Sequence, residues 1–85
     1  MGKLIIDVRE PQEYDSGHVA GAINLPPSEL MGDLPELAKV AKDTEIILYC
    51  RSGSRSNVAM QILRTKGFNN LVNGINQDQV RARYL

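Results

Sequence analysis

The chain has 85 residues, 42% hydrophobic and 24% charged, which fits one globular domain over residues 1–85 and excludes wholesale disorder. Ten Lys and Arg balance ten Asp and Glu, so charge gives no reason to expect nucleic acid or an anionic membrane as partner. No apolar run approaches the roughly 18–20 residues that span a bilayer, and the aromatic set of Phe68 and three Tyr, with no Trp, is poor for base stacking.

Cys50 is the lone cysteine, which excludes an intramolecular disulfide and a zinc site built from several thiolates. One His adds little as a ligand, so neither a metal nor another cofactor is expected. Met1-Gly2-Lys3 leads directly into an apolar run with no signal peptide in view. A monomer is expected, and its compartment stays open: cytoplasmic as the sequence is written, periplasmic if a leader peptide has been removed.

Leu4-Ile5-Ile6-Asp7-Val8 reads as a strand buried on both faces. Glu10-Pro11-Gln12-Glu13-Tyr14 reads as a short helix, with Pro11 at its first position, acidic residues at its N-terminal dipole and Gly17 closing it. Ala22 to Leu25 is a short strand stopped by Pro26-Pro27. Leu34, Leu37, Ala38 and Ala41 repeat at helical spacing, which predicts an amphipathic helix with Lys39 and Lys42 outside. Glu45 to Tyr49 is the clearest strand.

After a polar turn, Val58, Ala59, Ile62 and Leu63 make one helical face, with Gly67 as C-terminal cap. Asn69 to Val72 reads as the last strand and Gln77 to Leu85 as a helix. Strands alternating with helices predict an α/β fold, a mainly parallel sheet with helices on both faces. Ligands of such sheets sit beyond the carboxyl ends of the strands, where Cys50 lies.

The segment Cys50-Arg51-Ser52-Gly53-Ser54-Arg55-Ser56 runs from strand through loop into helix. Its backbone N–H groups and those of the helix N-terminus can converge on one anion. Gly53 permits a conformation that a side chain would obstruct, and Ser54 or Ser56 can cap the helix. A thiol beside that positive end and beside Arg51 and Arg55 is expected to ionise near neutral pH. The bland alternative makes Cys50 a small apolar residue ending a strand. Two arginines and several serines directly after it make a poor core and a good anion loop, which favours the reactive thiolate.

This loop resembles the active-site loop of the rhodanese-like sulfurtransferases. Asp7-Val8-Arg9-Glu10-Pro11-Gln12-Glu13-Tyr14, followed by Gly17-His18-Val19-Ala20-Gly21-Ala22-Ile23-Asn24-Leu25-Pro26, resembles the N-terminal signature of that family. The resemblance covers about residues 4–76, and the short chain is most similar to the single-domain phage-shock protein E type. It implies a small rhodanese-like domain in which Cys50 takes a sulfane sulfur from a donor such as thiosulfate. A thiophilic acceptor such as cyanide or a thiol, or a protein sulfur acceptor, then removes it. It also implies that Arg51, Ser52, Gly53, Ser54 and Arg55 bind the donor and the transferred sulfur. Two departures stand out. Asn73-Gly74-Ile75-Asn76-Gln77-Asp78 carries one Gly and no Trp where the family often has a Gly pair and a Trp, and the N-terminus lacks the extra helix and strand of longer members.

Other residues receive plainer readings. His18 is placed in a structural turn rather than as a general base, since a pre-ionised thiolate needs none. Asp7 is a brace for loop N–H groups or for Arg9 or Arg55. Ser52, Ser54 and Ser56 lack a His–Asp pair and are not triad nucleophiles. Asn69, Asn70, Asn73 and Asn76 read as turns, and Arg64, Lys66, Arg81 and Arg83 as a solvated face or a docking surface. Three functions compete: a sulfurtransferase, a persulfide carrier serving a protein partner, and a cysteine phosphatase or arsenate reductase. Four residues separate Cys50 from Arg55. The related phosphatases resemble this fold but have five, and the tighter ring suits one sulfur better than a tetrahedral oxyanion.

Overall fold

A computed structural model describes residues 3–85. The elements in chain order are β1 (Lys3–Asp7), α1 (Pro11–Asp15), β2 (Ile23–Asn24), α2 (Pro27–Leu30), β3 (Glu45–Tyr49), α3 (Ser54–Thr65), β4 (Leu71–Ile75) and α4 (Gln77–Tyr84). The strands form one sheet in the order β2-β1-β3-β4, and every adjacent pair is parallel. Parallel neighbours require a crossover, and the helices between strands supply it.

Side chains of a strand alternate between faces, and the two halves of the core follow that alternation. Ile6 and Val8 of the β1 run, with Ile46, Leu48 and Cys50 of the β3 run, pack against Leu30 of α2 and Ala59, Met60 and Leu63 of α3. Ile5, Ile47 and Tyr49 face the other way, toward Val80 of α4 and Tyr14 of α1. The face of α3 differs from the expected one. Ser56, Ala59, Met60 and Leu63 are buried, whereas Val58 is half exposed. The helix ends as its Gly67 predicts: Gly67 has φ +100°, its N–H donates to Arg64 O, and the Phe68 N–H donates to Leu63 O.

Three segments depart from the sequence reading. The helix expected over Leu34–Ala41 is a 3-10 turn, Pro35–Leu37. Leu34 precedes a proline, which disfavours its helical conformation, and it sits at φ −119°, ψ 80°. Leu37 is still buried, so the apolar spacing marked a core contact without marking a helix. Pro26-Pro27 does not merely stop a strand. Pro27 opens α2 from its first position, where a missing N–H costs nothing, and Leu30 is buried. The last strand starts at Leu71, after Asn69 and Asn70 bond back to Lys42 O and Asp43 O.

At the carboxyl edge of the sheet, Asp7 is fully buried. It accepts hydrogen bonds from Arg9 N (2.9 Å), Arg9 Nη2 (2.6 Å) and Tyr49 Oη (2.9 Å). Arg9 Nη2 also donates to Gly17 O at 2.7 Å, and Tyr49 Oη accepts from Val19 N at 3.0 Å. Burial, opposed by the Val19 N–H and reinforced by Asp7, pushes the Tyr49 hydroxyl up to about 12. Asp7 is thus the expected brace, and its basic partner is Arg9.

β4 carries an extra residue relative to β3. Leu48 pairs with Asn73 but Tyr49 pairs with Ile75, so Gly74 is the inserted position. This register brings Ile75 O within 3.1 Å of Cys50 N. A Cβ on Gly74 would stand 2.6 Å from Val80 Cγ2 and 2.9 Å from Ile47 Cγ2. Gly74→Ala should therefore lower stability by ~1–3 kcal/mol through overpacking between the sheet and α4. A thermal or urea unfolding curve matching the wild type would show that α4 yields freely.

Candidate active site

Cys50 follows the last residue of β3, and its N–H is held by Ile75 of β4. The chain then turns through Arg51, Ser52 and Gly53 into α3. Gly53 is the residue before the helix, with φ +93°, a left-handed conformation that a side chain would strain. That turn points the Gly53 N–H at Cys50 Sγ, 3.1 Å away. Cys50 is 2% exposed and belongs to the core on the α3 face. Cys50 is therefore buried, and its sulfur accepts a backbone hydrogen bond.

Burial alone pushes the thiol up. It is outweighed by the Ser56 hydroxyl and by the backbone N–H groups of Ser56, Ser52 and Gly53, and the thiol settles lowered, at about 7. Since the folded value lies below the ordinary value of 9.0, deprotonation favours the fold. This contribution is complete above the unfolded value and disappears as pH falls through about 7.

The sequence offers Ser54 and Ser56 as possible caps of α3, and the resemblance adds a donor-binding role for Ser54. Neither acts as a cap through its side chain. Ser54 Oγ instead lies 3.3 Å from Ser52 Oγ. The Ser56 hydroxyl, fully buried, lies 3.6 Å from Cys50 Sγ, 3.1 Å from Gly53 O and 2.6 Å from Asn73 Oδ1. Asn73 Nδ2 donates to Gly53 O at 2.9 Å, and Asn73 Oδ1 accepts from Ile75 N at 3.0 Å. Asn73 is therefore a strand residue that locks the Cys50 loop to β4. Asn76 likewise is no simple turn: its side chain caps α4 by accepting from Gln79 N.

The arginines do not turn to the sulfur. Arg55 Nη1 lies 2.8 Å from Glu13 Oε1, and Arg51 Nε lies 2.9 Å from Glu13 Oε2. The hydrogen bonds from Arg55, joined by the Glu10 N–H and by the charge of Arg51, hold the Glu13 carboxyl down at about 2. Those pairs persist at neutral pH and are lost only as pH falls toward that value. Glu13 also closes the capping box of α1 with Glu10.

His18 sits in its expected structural role. Its ring stacks on Tyr14 with centroids 3.6 Å apart, and Nδ1 lies 2.8 Å from Tyr14 O. A surface cleft of about 380 Å³ opens over the sulfur, lined by Cys50, Arg51, Asn76, Gln77, Asp78 and Arg81. Arg81 belongs to this cleft rather than to a featureless solvated face, and bonds to Gln77 Oε1 at 2.9 Å. Asn76 and the start of α4 thus supply one wall of the cleft. Among the described residues, no three His, Cys, Asp or Glu cluster as metal ligands, and no helix is long and apolar enough to cross a membrane.

Cys50 thus follows a parallel strand and precedes a helix start, with the Gly53 N–H directed at its sulfur. The family model of the rhodanese-like domain matches residues 1–77. The chain belongs to the rhodanese-like family. Among curated relatives of this rhodanese-like chain, the uncharacterized protein YqhL of Bacillus subtilis is 41% identical over 69 residues, 81% of this chain and 52% of its own length. A sulfurtransferase of Allochromatium vinosum is 34% identical over 71 residues, 82% of this chain and 63% of its own. A solved rhodanese with anions from E. coli superposes with a TM-score of 0.79 at 32% identity, covering 92% of this chain and 91% of that one. The chain spans about half to two thirds of the length of those two curated relatives.

The alkylation rate of Cys50 by iodoacetamide should rise with a midpoint near pH 7. Ser56→Ala should move that midpoint upward by about one unit, because a hydrogen bond to a charged group is worth ~1.5–3 kcal/mol. An unchanged midpoint in a folded variant would place the control of the thiol in the backbone alone.

Proposed function

We propose that this domain transfers sulfane sulfur through a persulfide on Cys50. The observation that carries the reading is the buried thiol lowered to about 7 with the Gly53 N–H aimed at it. In the first half-reaction the Cys50 thiolate attacks the outer sulfur of thiosulfate. The S–S bond of the donor breaks, its electron pair leaves with sulfite, and Cys50 holds a persulfide anion. In the second half-reaction cyanide, or a thiol, attacks the terminal sulfur and the Cys50 thiolate departs with the bonding pair. Covalent catalysis of this kind divides one difficult transfer into two easier ones. The N–H groups of the loop stabilise the sulfur anion in both states without moving. Arg51, which lines the cleft at Cys50, and Gly53, whose N–H meets the sulfur, are the donor-binding residues best supported, and Ser52, Ser54 and Arg55 are proposed to complete the set. The proposed whole-protein partners are a small sulfur donor and a thiophilic acceptor, which includes a protein thiol.

Incubation with thiosulfate should add the mass of one sulfur atom to the wild type, and cyanide should remove it as thiocyanate. Cys50→Ser should fold and gain no sulfur, since its hydroxyl neither ionises near neutral pH nor holds a persulfide. Turnover by that variant at the wild-type rate would refute the role of Cys50. Loading without turnover on small acceptors would instead favour a carrier.

The spacing of the loop supports sulfur over phosphoryl chemistry. One Gly inserted after Gly53 should pull the aligned N–H groups away from the terminal sulfur and slow transfer by roughly 30- to 1000-fold, equivalent to ~2–4 kcal/mol. The wild type should not hydrolyse aryl phosphates. Hydrolysis through Cys50, or undiminished transfer after the insertion, would remove loop size as the basis of selectivity.

A further inference from the structure

The two guanidiniums nearest the cradle are committed to one carboxylate. Glu13 Oε1 and Oε2 lie 2.8 and 3.3 Å from Arg55 Nη1 and Nη2, and Oε2 lies 2.9 Å from Arg51 Nε. The Glu13 side chain is only one-fifth exposed and is fixed in place by the Glu10 N–H at 3.0 Å. On the other side of the cleft, Arg81 lies 3.9 Å from Asp78. Both arginines that line the cleft at Cys50 are therefore paired with a carboxylate, Arg51 with Glu13 and Arg81 with Asp78. A dianion held by Arg51 would share that guanidinium with the Glu13 carboxylate, 2.9 Å from its Nε.

We propose that Glu13 is a specificity-determining residue of the donor site, weakening capture of small dianions such as thiosulfate and favouring singly charged or neutral donors, the persulfides of small thiols. This rests on the sulfur-transfer reading of Cys50. With such a donor, R–S–SH, the Cys50 thiolate attacks the outer sulfur, the donor S–S bond breaks, and the pair leaves on R–S⁻. The proton stays on the transferred sulfur. The leaving thiolate group carries a single charge, where thiosulfate would release doubly charged sulfite beside arginines already paired with Glu13.

The test compares alkylation of Cys50 by iodoacetate, an anion, and by neutral iodoacetamide. Both react with the same thiolate, so any change in its ionisation cancels in the ratio of their rates, and the ratio reports the field at the sulfur. Glu13→Gln keeps the shape of the side chain and an oxygen for the Glu10 N–H. It should raise the iodoacetate-to-iodoacetamide ratio by about three- to tenfold at low salt, as one unit charge acting across a single layer of side chains would. The increase should shrink as salt is added. The preference for thiosulfate over a small-thiol persulfide, measured as the quotient of kcat/KM values, should rise by a similar factor, mostly through the KM of thiosulfate. Arg51→Gln should move the alkylation ratio the other way by about two- to threefold. Its side chain is 71% exposed, so it serves even if Glu13→Gln fails to fold.

An alkylation ratio that is unchanged or lower in Glu13→Gln, or unchanged in Arg51→Gln, would overturn the proposal. A lower ratio would mean that Glu13 serves to aim the arginines at an anion. If the wild type accepts sulfur from neither donor, the sulfur-transfer reading fails, while the alkylation ratio still decides what Glu13 does to the charge at Cys50.

Discussion

The buried carboxylate of Asp7 is the constraint on which the carboxyl edge of the sheet depends. It stands at the end of β1 and takes hydrogen bonds from Arg9 and Tyr49, and through them it engages Gly17 and Val19. Those contacts fix the end of β3, the turn after α1 and the start of the segment bearing Glu13 relative to one another. A charge removed from water survives only if it is fully partnered, and removing one member of such a pair costs about 3–5 kcal/mol. Cys50 follows Tyr49 directly, so the placement of its thiol is inherited from this network.

Charge around the site is arranged in two zones. At the sulfur itself the stabilising groups are neutral dipoles, the Gly53 N–H and the Ser56 hydroxyl. The formal charges lie farther out and pair with each other, Arg55 and Arg51 with Glu13 and Arg81 with Asp78. Dipoles fixed by backbone geometry do not have to be reorganised as charge moves onto or off a bound atom. Asn73 extends this inner zone into β4 by holding both Gly53 O and Ser56. Ile75 beside it has φ +74°, a conformation unusual for a β-branched residue. Backbone strain therefore sits next to the loop, where Ile75 also binds the Cys50 N–H.

What the sequence disclosed followed from locality. The buried strands β1 and β3, the helix opened by Pro11, the cap at Gly67 and the Cys50-to-Arg55 loop each depend on neighbours within a few residues, and each was legible. The Leu34–Ala41 spacing misled because an apolar period reports burial and not the hydrogen-bonding pattern, and Pro35 reset that pattern to a tighter turn. The short helix at Pro27 was hidden because proline signals both a stop and a start. At the site, Cys50, Gly53 and the loop were foreseen, but the partners of the arginines were not. Glu13 and Arg55 are 42 positions apart, and only the folded sheet brings them together. Asn73 was hidden for the same reason, and an Asn-rich run invited a reading as turns.

A lowered thiol has a consequence beyond readiness to attack. In exchange at sulfur, a less basic thiolate is a weaker nucleophile but a faster leaving group, and the compromise is best when its pKa lies near the ambient pH. A cysteine that accepts a sulfur must later be expelled from the bond it made. At about 7, Cys50 is balanced between those two demands near neutrality. On the proposed persulfide route, the N–H groups at the sulfur ease departure as much as arrival, and a mutation that made the thiol more basic would slow release of the transferred sulfur.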